Sequence, residues 1–278
     1  MKIYIIIIII SIIFLYLNYE NSDNYKNYDN DLVNFPNIIE RKNKSIDIYN
    51  NVPLNIYQSW HTHDIPVEMS SNISNLLKIN PEFNYYLYSD DECADFILKN
   101  FGEDVLYSFN TLIPGAYKSD LWRYCILFIK GGVYLDIKFY SNIPIISLLS
   151  ESSTIFVKDR DFGCEHKKGI YNAFIVSPPN NKIFKYCIDD IVESCKLRLY
   201  RNGTLDITGP CLLGRIILKY EPEKYDNYVK NFKWDGNNIL HGNIAIFSQY
   251  LNYRSNQSKF QKNKHYEELW LKRNVFSK

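Results

Sequence analysis

The order of elements along the chain predicts an α/β fold, and three observations carry that prediction. From residue 52 onward, short apolar runs rich in Ile, Val and Tyr alternate with longer stretches of helical period. A helix-length segment, AYKSDLWRYCILFIK, closes on Lys130 and the pair Gly131-Gly132, a basic last turn followed by a glycine stop. The chain then passes directly into VYLDI, an apolar run that delivers a lone carboxylate, Asp136.

Taken in order, PLNIYQSW reads as a strand, residues 66 to 79 as a helix and FNYYLYS as a strand. The next helix opens with Ser89 or Asp90 as its N-cap and runs through ECADFILKNF. A helix pair ending at Lys130 follows, then the strand VYLDI. TIFVK and NAFIVS read as strands, NKIFKYCIDDIVESCKLRLY as a long helix, and the tail after Tyr220 as mixed short elements. The sequence contains neither an internal repeat nor a second linker.

Composition excludes some classes of function. With 278 residues and 46% hydrophobic side chains, the chain can bury a substantial core. The 32 basic and 31 acidic residues form no basic block, so a nucleic-acid partner is not expected. The excess of Ile, Asn, Lys and Tyr points to an AT-rich genome, a viral one among the options, and takes weight from any single Tyr or Asn.

The amino terminus carries a separate message. IYIIIIIISIIFLYL is unbroken and apolar, and is followed by the polar stretch NYENSDNYKNYDND. Bulky Leu15, Tyr16 and Leu17 stand where a signal peptidase needs small residues, so residues 1–17 are expected to be an uncleaved membrane anchor rather than a removed signal. Residues 18–51 read as a flexible stem and residues 52–278 as one domain on the far, lumenal side of a single-pass membrane protein of the secretory pathway. Such a compartment would permit disulfides among Cys93, Cys125, Cys164, Cys187, Cys195 and Cys211, although their pairing is not readable and no CxxC metal spacing is present. It would also make the sequons at Asn43, Asn72, Asn202 and Asn256 glycan acceptors, if they are not chance matches in an Asn-rich chain.

The chemistry concentrates between Ala116 and Lys138. Helical spacing puts Asp120 and Arg123 on one face, and the glycine turn brings the helix and the strand end carrying Asp136 to one edge of the sheet. Ligands of open α/β sheets sit outside the carboxyl ends of the strands, where Asp136 lies. Each piece alone has a plainer reading: Asp120 and Arg123 as a surface ion pair, Gln58 as a cap on backbone groups, Trp60 as core, and Thr208-Gly209-Pro210 as an ordinary helix start. His61 and His63 share a strand face without a third ligand and are not expected to hold a metal.

As a set, these residues resemble the glycosyltransferases with a DXD sugar-binding region. That family includes fungal initiation-specific mannosyltransferases, α-1,4-galactosyltransferases and mannosyl-inositol-phosphoceramide synthases; the glucosyltransferase domain of the large clostridial toxins is a distant relative. The resemblance rests on Ala116, Ser119, Asp120, Arg123, Gly131, Gly132, Tyr134, Leu135 and Asp136. It extends to Pro53, Ile56, Gln58 and Trp60, to the NPEF turn at Asn80 to Phe83, to Asn172, and to Thr208, Gly209 and Pro210. It implies a Rossmann-like GT-A fold and transfer of a hexose of the mannose, galactose or glucose class from a UDP- or GDP-sugar to a glycan, glycolipid or glycoprotein.

By the same resemblance, Asp136 would face the ribose or a metal, while Asp120, Arg123 and Asn172 would hold the donor sugar. Gln58, Trp60 and Tyr134 would line the nucleotide pocket, and Thr208, Gly209 and Pro210 the acceptor or phosphate region. The second motif carboxylate is missing, and Lys138 stands in its place. Either Lys138 supplies the charge that a metal would supply, or Mn²⁺ or Mg²⁺ is kept by Asp136 with His265. The second arrangement is adopted here as the expectation, because a four-carbon stem lets the ammonium swing away. Two rival readings are a catalytically silent sugar or nucleotide binder and a glycoside hydrolase pairing Asp136 with Asp120 or Asp159.

Overall fold

The computed structural model describes residues 31–41, 46–160, 163–164, 167–261 and 264–277. The anchor expected at 1–17, residues 18–30 of the expected stem and the sequon at Asn43 lie outside the described residues. Among the described residues, no helix is long and apolar enough to cross a membrane.

Ten strands form one mixed sheet. In chain order they are β1 (Ile38–Ile39), β2 (Asn55–Ser59), β3 (Asn84–Tyr88), β4 (Gly132–Leu135), β5 (Phe139–Ser141), β6 (Ile155–Lys158), β7 (Ile170–Ser177), β8 (Phe232–Trp234), β9 (Asn238–His241) and β10 (Ile244–Gln249). Their spatial order is β1-β3-β2-β4-β7-β6-β8-β9-β10-β5. Strand β2 runs parallel to β3 and to β4, which gives the α/β half that the sequence predicts. On the far side of β4 the strand pairs are antiparallel except β6–β8, which is parallel. The α/β expectation holds, and the tail read as mixed short elements contributes the β8-β9-β10 meander.

The helices that bear on the site are α1 (Val67–Ile79), α2 (Asp90–Phe101), α3 (Glu103–Thr111), α4 (Gly115–Lys130), α5 (Lys182–Leu197), α6 (Pro210–Tyr220), α7 (Tyr253–Phe260) and α8 (Tyr266–Leu271). Helix α2 starts at Ser89, whose hydroxyl accepts from the Glu92 amide while Glu92 reaches back to the Ser89 amide. This reciprocal pairing fixes the entry that the sequence left between Ser89 and Asp90. Alternation along the central strands builds two cores, one on each face of the sheet. Tyr57 and Tyr134 pack with α4, α5 and α6, whereas Ile56, Val133 and Leu135 pack with α1.

Helix α4 stops at the predicted glycines for a steric reason. Gly131 and Gly132 have φ of +61° and +105°, a region that side chains avoid. A Cβ on Gly131 would lie 2.5 Å from the Pro179 nitrogen, and one on Gly132 would lie 2.8 Å from the Asn55 carbonyl oxygen. Gly131→Ala is therefore expected to cost about 3 kcal/mol, from strain plus a backbone clash. Urea unfolding reads this directly, and a shift below about 0.5 kcal/mol would show that the turn can relax.

The sheet begins upstream of the boundary expected at Val52. Strand β1 pairs with β3, and buried Phe35 packs edge-on to Tyr85 at 6.1 Å. Buried Arg41 donates to the Glu82 carbonyl at 3.2 Å and pairs with Asp47. A chain started at Val52 is expected to be less stable than one started at Asp31 by about 3 kcal/mol, the scale of losing one buried aromatic. Equal urea midpoints would return residues 31–51 to the stem.

Candidate active site

A cleft of about 400 Å³ opens at the carboxyl ends of β2, β3 and β4, where the topology puts Trp60, Asp90 and Asp136. Its wall includes Asp120, Arg123, Tyr134, Lys138, Asn172 and Gly209, so the structure brings together the residues that the sequence singled out on four separate segments.

Arg123 is the hub. It is 4% exposed, and its Nη2 lies 3.1 Å from Asp120 Oδ1 and 3.4 Å from Asp136 Oδ1. It also donates to the Ser119 hydroxyl at 3.2 Å and to the Asn172 carbonyl, and it lies 4.3 Å from the Tyr134 ring centroid. The plainer reading of Asp120 and Arg123 as a surface pair is thereby excluded, because both are buried. Asp120 is further held by Asn172 Nδ2 at 2.9 Å and by the Thr208 hydroxyl at 2.7 Å. Burial pushes the Asp120 carboxyl up, and Arg123 and Thr208 oppose that shift.

Asp136 sits one residue beyond β4, with its amide bonded to the Ala173 carbonyl at 2.8 Å. Tyr134 donates to Oδ1 at 2.9 Å, and Lys138 Nζ lies 2.7 Å from Oδ2. Burial alone would raise this carboxyl, but Lys138 and Arg123 outweigh it and hold Asp136 below the usual carboxylate range. The Asp136–Lys138 turn is clamped from behind by Asn72, which donates to the carbonyls of Ile137 and Phe139 at 3.0 Å each. Asn72 is 5% exposed, so this sequon is no glycan acceptor. The sequence reading missed its role, since only a helix packed across the turn reveals it.

Other expected residues are dispersed. Gln58 is fully buried and spans the Leu135 carbonyl and the Tyr85 hydroxyl, so it serves the core and not the cleft. Trp60 lines the cleft, and its buried indole N–H has no hydrogen-bond partner among the described residues. Thr208 is buried behind Asp120, while Gly209 and Pro210 at the start of α6 reach the cleft. His63 pairs with Glu92 at 2.7 Å. Cys164 and Cys211 form a disulfide, and the remaining cysteines are buried thiols.

The donor set does not fit a divalent cation. Both oxygens of Asp136 face cations or a hydroxyl donor. His265 also lines the cleft but caps its own helix, its Nδ1 accepting from the Glu267 amide at 3.5 Å. Among the described residues no group of three His, Cys, Asp or Glu converges on a metal position. The metal arrangement expected for Asp136 and His265 thus lacks a second anionic ligand, and the swing expected of Lys138 is countered by its packing. The side chain is 13% exposed, with Nζ 5.2 Å and 5.3 Å from the ring centroids of Phe139 and Tyr171.

Side chains that the sequence did not single out complete the opposite wall. Tyr171 and Trp234 stack at 4.4 Å with a 6° interplanar angle, and Tyr253 lies beside them in the lining. Tyr171 comes from the start of β7, whereas Trp234 on β8 and Tyr253 on α7 lie in the tail whose elements were not resolved from sequence. Asp159, weighed only as a hydrolase partner, also lines the cleft, and burial pushes its carboxyl up to about 6 against the opposing Arg160 amide. The folded protein holds this proton more tightly than the unfolded chain. Stability is therefore expected to fall as pH rises from about 4 to about 6, and Asp159→Asn should remove that part of the slope. Urea midpoints across this range check it, and an unchanged slope would assign the titration elsewhere.

Several known proteins are similar to parts of this chain. Residues 66–155 match the family described as glycosyltransferase sugar-binding region containing DXD motif. Inositol phosphoceramide mannosyltransferase 2 of Schizosaccharomyces pombe is 24% identical over 171 residues, 61% of this chain and 47% of that protein. The initiation-specific alpha-1,6-mannosyltransferase of Candida albicans is 29% identical over 120 residues, 40% of this chain and 30% of its own length. The chain thus spans about half or less of the length of these two relatives. A solved structure, the PaToxG glycosyltransferase, superposes with a TM-score of 0.49 at 19% identity, covering 63% of this chain and 73% of that one. Over residues 66–155 the chain is thus similar to the glycosyltransferases that carry a DXD-containing sugar-binding region, and its own residues Asp136-Ile137-Lys138 stand within that match.

Proposed function

We propose that the protein transfers a hexosyl group, mannose before galactose or glucose, from a UDP- or GDP-sugar to a hydroxyl of a glycan, glycolipid or glycoprotein. The observation that carries this reading is the convergence of Asp120, Arg123, Asn172 and Asp136 in one cleft at the carboxyl ends of the parallel strands. Mannose comes first because two of the related proteins are named as mannosyltransferases. In the reaction, the bond between the sugar C1 and the β-phosphate oxygen breaks, and its electron pair leaves with the phosphate. A new bond forms from C1 to the acceptor oxygen, and the acceptor proton passes to the departing phosphate.

The roles assigned to side chains follow from where they sit. Asp120 and Asn172 hold sugar hydroxyls at the floor, with Arg123 fixing both carboxylates between them. Trp60 and Tyr134 border the nucleotide, the free indole N–H of Trp60 being a donor that a bound ligand can satisfy. The stacked Tyr171 and Trp234 offer an apolar wall to a sugar ring. A hydrolase is disfavoured because a single guanidinium lies between Asp120 and Asp136, where a glycosidic bond would have to enter. The reading extends to a lumenal, membrane-anchored enzyme, supported by the apolar run at Ile3 to Leu17 and by the Cys164–Cys211 disulfide.

Thermal shifts with UDP-mannose, GDP-mannose, UDP-galactose and UDP-glucose test the donor class, since a ligand bound only by the folded state raises the melting temperature. Release of nucleoside diphosphate on addition of a glycolipid or oligomannose acceptor then tests transfer. Binding without turnover of any donor would favour the silent binder, and no shift with any of them would end the proposal.

A further inference from the structure

We infer that the Lys138 ammonium supplies the positive charge facing the donor's diphosphate, so that donor binding in this cleft needs no divalent cation. This deepens the transferase reading above and rests on it.

The first argument is charge. The buried floor holds two carboxylates, Asp120 and Asp136, and two cations, Arg123 and Lys138, all within a chain of contacts of 2.7 to 3.4 Å. The four charges balance. An aspartate at position 138, as a DXD spelling has it, would leave three carboxylates against one guanidinium, a deficit of two positive charges that a divalent ion fills. The change from Asp to Lys alters the protein by two charge units, the charge of that ion. Adding a divalent cation to the present site would set it against an ammonium and a guanidinium that already occupy both oxygens of Asp136.

The second argument is position. A mobile lysine could not serve, because stabilising a leaving group depends on a charge already in place. Lys138 is not mobile by construction of its surroundings. Its main chain is tied at both sides, the Tyr250 amide donating to the Lys138 carbonyl at 3.0 Å and the Phe139 amide to the Asp136 carbonyl at 3.1 Å. Asn72 holds the flanking carbonyls, and the side chain lies 13% exposed between Phe139 and Tyr171 with its ammonium on Asp136. An ammonium has three N–H donors, and Asp136 takes one. A second is shared with the Tyr171 hydroxyl, and the third is available to the cleft that Lys138 lines. Burial lowers the proton affinity of such an amine, but adjacent Asp136 raises it further, so the group stays charged.

The test is binding, measured by calorimetry with UDP and GDP as probes, in EDTA and in excess MnCl₂. The wild-type chain is expected to bind one of them with affinities in the two conditions that agree within about twofold. Lys138→Ala should weaken that nucleoside diphosphate by about thirtyfold or more and leave the matching monophosphate within about threefold, because only the β-phosphate loses its partner. Lys138→Asp should bind the diphosphate only when Mn²⁺ is present. Wild-type binding that requires Mn²⁺ would overturn the inference and leave the transferase reading standing. So would Lys138→Ala with unchanged diphosphate affinity. Failure of both nucleotides in both conditions would overturn the donor reading and the inference with it. The wild-type comparison decides the matter even if the substituted chains do not fold.

Discussion

Arg123→Met is expected to destabilise the protein by about 3 to 5 kcal/mol, the cost of removing one partner from a buried charge cluster. Methionine nearly matches the volume of the arginine stem, so the loss reports on charge and hydrogen bonding more than on packing. Without the guanidinium, Asp120 and Asp136 face each other with only Thr208, Asn172, Tyr134 and Lys138 to satisfy them, and the Asp120 carboxyl, already raised by burial, would be pushed higher still. The Ser119 and Asn172 carbonyls would also lose their donor. Arg123→Lys should recover only part of the loss, because a single ammonium cannot span both carboxylates and both carbonyls. Urea unfolding at neutral pH measures this, and a cost under about 1 kcal/mol would show that the cluster is solvated in solution.

That cluster marks the boundary of what the sequence makes legible. Asp120, Arg123 and Asp136 are readable because helical spacing, a glycine stop and a short strand fix their mutual direction through local geometry. Gly131 and Gly132 are legible for the same reason, a helix stop being a local event. The partners that make the site work come from elsewhere: Asn172 from β7, Thr208 from the start of α6, Asn72 from α1. Asn172 and Thr208 were found through resemblance to a family, and Asn72 carried no signal except a sequon, which pointed to the wrong surface.

Gln58 shows the opposite case. Its motif position suggested a nucleotide pocket, but a side chain on a five-residue strand between two parallel neighbours has equal chances of facing either side. Here it turns inward to Leu135 and Tyr85. The meander of β8 to β10 was illegible because its strands are only three to six residues long and lack clean alternation. Its Trp234 reaches the cleft through pairing with β6, a contact some 75 residues away in sequence. Upstream, residues 32 to 51 read as a stem from their polarity, although one aromatic, Phe35, and one arginine, Arg41, suffice to fasten part of that segment to the sheet.

Asp136→Asn is expected to lower sugar transfer by about a hundredfold to a thousandfold while nucleoside diphosphate binding tightens several-fold. The substitution preserves shape and the contact with Tyr134 but leaves Lys138 and Arg123 short of a counter-charge, so the fold should lose about 2 to 3 kcal/mol while remaining folded. What it removes is the counter-charge of Lys138 and Arg123. Two cations then face the diphosphate with one carboxylate fewer to neutralise them, which favours the anion in the ground state. Transfer suffers because the Lys138 ammonium loses the oxygen that aims it at 2.7 Å, and a charge out of line stabilises the departing phosphate less in the transition state than in the bound donor. If Asp136 instead held a metal, the same substitution would weaken diphosphate binding and transfer together. Affinity for UDP or GDP and the rate of sugar transfer, measured on one preparation, separate the two cases by the sign of the first quantity.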